Sequence, residues 1–162
     1  MSATLQPDGV TSNQVAVGAF GATTTNSSGG NWSLGGVALG SSGLWVCSYQ
    51  ARFGWSNHVA YHRVALSTSN SVSNVFTTWR MVAERIQQHS SNANMPSNHM
   101  WYIDVANGNT GGATIYVIAN QSGSATSSFF QDDVNGHTGL ICWKLRESNT
   151  SGTGVTSVNG GL

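Results

Sequence analysis

From Leu44 to Phe53 the side chains alternate without a break. Trp45, Cys47, Tyr49, Ala51 and Phe53 fall on one side, with Ser48, Gln50 and Arg52 on the other. Such a two-residue period sorts bulky apolar groups onto one face only if the segment is extended, because a helix would spread them around its circumference. A half-buried strand needs neighbours, so this stretch commits the chain to a sheet. Further runs of this kind recur, bounded by Gly, Ser and Asn. Trp55–Leu66 follows a turn-like break at Gly54. Met100–Ala106 and Ala113–Asn120 flank Asn107-Gly108-Asn109-Thr110-Gly111-Gly112, and Gly139–Arg146 reads as the last strand, with Ile141, Trp143 and Leu145 on one face. Asn-Gly and Gly-Gly tolerate positive φ, so 107–112 predicts a hairpin connection.

One segment fits two periods. Phe76, Trp79, Ala83 and Ile86 fall at helical spacing within Val75–Gln88, which lacks Gly and Pro. As a strand over Thr78–Gln87, Trp79, Met81 and Ala83 alternate with Arg80, Val82 and Glu84. The strand reading is preferred, on the resemblance described below.

Composition supports an all-β chain. Ser and Thr number 23 and 15, with 20 Gly and 15 Asn, while charged residues are only 7% against roughly a quarter in most soluble domains. Short hydroxyl and amide side chains bond to nearby backbone and compete with the helical ladder, which favours strands and turns. Six basic and six acidic residues are scattered, with one Lys and five Arg. They make no phosphate-neutralising patch, so nucleic acid is not an expected partner. The apolar runs are far shorter than the roughly 20 residues a membrane helix needs. The start, Met1 to Pro7, lacks the basic and apolar regions of a signal peptide, which predicts synthesis and assembly in a cytoplasm. Cys47 and Cys142 each sit in an apolar run. They are expected to be two buried thiols, a disulfide or reactive role being the alternative. The sequons at Asn26, Asn31, Asn120 and Asn149 occur about as often as this composition yields by chance.

The organisation expected is an N-terminal arm over 1–30, a β-sandwich over 31–147 and a C-terminal tail over 148–162. Both ends are small-residue, polar segments with little reason to order alone.

Three stretches resemble a known family when taken in order. Gly40-Ser41-Ser42-Gly43-Leu44-Trp45-Val46-Cys47, continuing to Phe53, is similar to the opening of small jelly-roll domains in phage fibres. Ala113 to Ala125, with its Gln121-Ser122-Gly123 turn, resembles their later strand, and Thr138 to Arg146 resembles their last. The match runs from about residue 32 to 147. It implies a single jelly-roll β-sandwich of the trimeric kind shared with complement-type globular heads and tumour-necrosis-factor ligands. It also implies a non-enzymatic virion protein: a phage capsid decoration, cement or head-fibre protein, with a tail-fibre receptor-binding module for host surface glycan as the alternative. Its partners would be itself, as a homotrimer, and the major capsid protein or other virion proteins.

Candidate sites follow from residue type. Leu5, Val10, Val15, Val17 and Phe20 supply the arm's apolar contacts and are the candidates for anchoring to capsid or a neighbouring subunit. Trp45, Trp79, Trp101 and Trp143 lie within strands and are expected in the core or a subunit interface, while Trp32 and Trp55 are the candidates for exposed ligand contacts. His58 with His62 has no third metal ligand nearby in sequence, and Asp132-Asp133 reads as a solvated loop pair, so no metal or cofactor is expected. Nucleophile motifs and paired catalytic carboxylates do not stand out, so no catalytic residue is assigned.

Overall fold

The alternation that begins at Leu44 is a strand, and it extends beyond the sequence pattern. The protein is seen as a computed structural model, which describes residues 15–19, 24–26, 30–56, 61–68, 82–86, 93–122, 127–131 and 139–160. Among these there are eleven strands and no helix. They are β1 (Val15–Ala19), β2 (Thr24–Asn26), β3 (Gly30–Leu39), β4 (Gly43–Ser56), β5 (Tyr61–Ser67), β6 (Val82–Ile86), β7 (Ala93–Val105), β8 (Ala113–Ser122), β9 (Ser127–Gln131), β10 (Gly139–Arg146) and β11 (Val155–Gly160). Two antiparallel sheets result. The first runs β1-β10-β4-β7-β11, with β9 also beside β4 and β2 beside β9, and the second runs β3-β8-β5-β6.

The sheets face each other across one apolar core. Trp45, Cys47 and Tyr49 of β4, Trp101 and Ile103 of β7 and Leu140 of β10 are fully buried from the first sheet. Val64, Leu66, Ile115, Val117 and Leu39 meet them from the second. This is the predicted face of β4. Two packed antiparallel sheets with alternating inward residues make the chain a β-sandwich. Trp45 donates Nε1–H to the Ser41 carbonyl at 3.2 Å. Trp101 has its Nε1 buried without a hydrogen-bond partner, as does the Nε2 of His99, whose ring stands edge-on to Trp101 at 4.7 Å.

Several expectations change in the structure. Gly54 does not break β4, because it pairs with Asn94 of β7 on one side and Phe129 of β9 on the other, and flanking strands hold it extended. Residues 107–112 are not a hairpin. Two tight turns, Asn109 N to Ala106 O and Gly112 N to Asn109 O, pass the chain from β7 in the first sheet to β8 in the second. Turn chemistry specifies positive φ; it does not specify which sheet the next strand joins. Within the segment of two periods, Val82–Ile86 is strand β6, paired with β5 from Tyr61↔Ile86 to Ala65↔Val82. Residues 69–81 and 87–92 lie outside the described residues.

Gly139–Arg146 is not the last strand. Val155–Gly160, inside the expected tail, forms β11 along the edge of β7. The linker is stitched down by backbone bonds from Ala106, Asn107 and Gly108 to Gly154, Thr150 and Gly152. Within the expected arm, Val15–Ala19 and Thr24–Asn26 are likewise strands.

The cysteines are buried as expected, yet they are not thiols. Cys47 and Cys142 stand directly opposite each other in the β4–β10 ladder and form a disulfide, 95 residues apart in sequence with Cα atoms 4.0 Å apart.

Candidate functional site

Among the described residues, the exposed large apolar side chains lie on or beside the outward face of the first sheet. Side chains alternate across a strand, so burying Leu140 and Cys142 of β10 sends Ile141, Trp143 and Leu145 outward. Register then lays out rows. Val17, Ile141, Ser48 and Met100 stand abreast on β1, β10, β4 and β7, and Val15, Trp143, Val46 and Tyr102 form the next row. Val17 and Leu145 are the most open, at 66% and 55%, while Met100, Trp143, Ile141 and Tyr102 lie between 37% and 44%. Strand spacing makes the rows roughly 14 Å wide.

Polar groups border this apolar centre. Gln50 and Asn98, one row beyond Ile141, are exposed and pair across β4 and β7. At the other end lie Arg146, Glu147 and Asp104, while Lys144, on the same side of β10 as Leu140 and Cys142, has a largely buried side chain that reaches out beside Gly43. Lys144 Nζ sits 2.6 Å from Glu147 Oε1 and donates to Ser41 Oγ at 3.3 Å. Asp104 accepts hydrogen bonds from Ser148 at 2.6 Å and Thr150 at 2.5 Å, fastening the segment that leads to β11. An apolar centre with a polar rim is the anatomy of a protein interface, and exposed patches of this kind mark interaction sites.

Val15 and Val17, two of the arm's candidate anchors, fall on this face through β1. Leu5, Val10 and Phe20 lie outside the described residues. Trp45 and Trp101 are core residues and Trp143 is on the apolar face; Trp79 is outside the described residues. Trp32 is in β3 and Trp55 in β4, with their side chains outside the described residues, as is that of His62 in β5. His58, Asp132 and Asp133 also lie outside them. Among the described residues no three His, Cys, Asp or Glu side chains gather as metal ligands, and no helix is long and apolar enough to cross a membrane.

Met100, Tyr102 and Val46 were not singled out by sequence reasoning. For Met100 and Tyr102 the signal is present in the sequence: in the 100–106 run, apolar groups occupy both parities, more than one buried face requires.

No protein-family model matches the chain, and no curated protein matches it either.

Proposed function

We propose that this chain is a non-enzymatic, trimeric jelly-roll domain of a phage particle, acting as a capsid decoration, cement or head-fibre protein. Setting β2, β9 and β11 aside, eight strands remain. In chain order they stack first, eighth, third and sixth in one sheet, and second, seventh, fourth and fifth in the other. That interleaving is what two nested Greek keys produce when a long hairpin rolls up, and it supports the jelly-roll reading. The observation that carries the function is the outward face around Trp143, Ile141, Tyr102, Met100 and Val17. An isolated sandwich gains nothing from large apolar groups in water. Copies of this chain packed around a threefold axis would bury them.

The mechanism is mass action. A trimer that binds the assembled shell and not its free subunits stabilises the shell by the free energy of that binding. The stretch before β1, with Leu5 and Val10, is the assigned anchor to capsid or a neighbouring copy. No nucleic acid, membrane, metal or cofactor enters this account. Counting copies per particle by quantitative mass spectrometry tests it. The expected result is a number in multiples of three, stoichiometric with the shell. A few copies confined to tails, with free protein that blocks infection, would replace this reading with a receptor-binding module for host glycan.

A further inference from the structure

We propose that the Cys47–Cys142 bond is a lock closed after folding. The chain folds as a dithiol in a reducing compartment and is cross-linked at the centre of its first sheet once it meets an oxidising exterior. This rests on the reading above in one respect, that the chain is made inside a cell and works outside it.

The geometry supplies the order of events. The two cysteines are 95 residues apart in sequence and are brought together only by the pairing of β4 with β10, which sets Cys142 opposite Cys47. Before that ladder exists the thiols are the ends of a long loop, and nothing local holds them together. Once it exists they face each other in a closed core, both with no exposed surface. Trp101 stands beside Cys47 on β7 and Ala16 beside Cys142 on β1. Buried thiols are tolerated there as small apolar groups, so the reduced sandwich needs no other partner for them. Reducing compartments keep such pairs open and oxidising ones close them.

The chemistry is exchange with a low-molecular-weight disulfide such as oxidised glutathione. One cysteine thiolate attacks the small disulfide, breaking its S–S bond, releasing one glutathione thiolate and forming a mixed disulfide. The second cysteine thiolate then attacks the protein-side sulfur, forming Cys47–Cys142 and releasing the second glutathione. Two electrons pass from the cysteine pair to the small disulfide, and the two thiol protons go to the released thiolates. Both sulfurs are sealed in, so each step waits on local opening around β10, whose outer neighbour among the described residues is β1. The same burial afterwards shields the bond from reductant.

The test uses the purified full chain, independently of any particle. Protein made in a reducing cytoplasm, acid-quenched at lysis and alkylated while unfolded, is expected to carry two alkyl groups. After incubation of the native protein with oxidised glutathione it should carry none, with the circular dichroism spectrum unchanged. The melting temperature should rise on the order of 10 °C, as expected for closing a loop of this length in a domain of this size. Closure should speed up in denaturant below the unfolding transition. The double variant C47A/C142A should melt like the reduced protein and ignore the oxidant. A bond already complete at lysis would overturn the proposal, as would an unfolded dithiol form or a folded dithiol that the oxidant never closes. A copy number that contradicts the virion reading leaves these thiol counts untouched, so the two failures are distinguishable.

Discussion

At Gly112 the chain turns toward β8 with φ at +76°, and a Cβ there would collide with the Leu39 carbonyl oxygen. Both backbone conformation and space exclude a side chain, and the clash is with backbone, which cannot swing aside. Gly112→Ala should therefore cost roughly 3 kcal/mol or more, read from the urea midpoint. His99 offers a second prediction. Burial holds its imidazole pKa below the ordinary histidine value. The unfolded chain then takes up a proton, as pH falls through about 6.5, that the folded chain resists. The stability His99 contributes is present above that pH and is lost below it. Melting temperature should fall between pH 7.5 and 5.5, and less so in His99→Gln; equal falls in both proteins would remove His99 as the cause. Comparing the two separates it from the chain's four other histidines.

Among elements, β11 shows how a strand can be present without a sequence signal. Its six residues, Val155-Thr156-Ser157-Val158-Asn159-Gly160, have no strong apolar face. The strand pairs with the edge of β7, Val155 at its start packs against the core, and the preceding segment is tied to Asp104 by the hydroxyls of Ser148 and Thr150. Deleting 155–162 should destabilise the domain by a few kcal/mol and promote aggregation through the bared β7 edge, measured by urea unfolding and light scattering. An unchanged midpoint would mean that β11 contributes nothing. Strands that bury a face were legible in the sequence for the opposite reason. Trp45, Cys47 and Tyr49 of β4 and Ile115 and Val117 of β8 declare themselves by period and bulk. What could not be read was non-local: the Cys47–Cys142 pairing across 95 residues, the switch of sheets at 107–112, and the continuation of β7 back through Pro96. Pro96 stands opposite Arg52 of β4, well inside the strand. The candidate face was half legible. Trp143 and Ile141 were visible on one side of β10, but which side faced water depended on register with β1 and β4. That register also refines the anchor test. Removing 1–14 leaves β1 in place and should give a folded trimer that no longer joins particles, whereas removing 1–20 also strips β1 from β10.

The whole molecule joins a cross-linked sandwich to an exposed apolar sheet face. Trp143→Asp places a charge at the centre of that face while leaving Leu140 and Cys142, on the other side of β10, in the core. It should abolish assembly while costing the monomer about 1 kcal/mol in lost cross-strand contacts with Val15 and Val46. The central claim is tested most directly by the solution mass of the full chain, measured by size-exclusion chromatography with light scattering at micromolar concentration. The account predicts roughly 51 kDa, three times the 17.0 kDa of one chain, falling to a single chain's mass in Trp143→Asp. A stable 17.0 kDa species for the unaltered protein, indifferent to the Trp143 change, would contradict it.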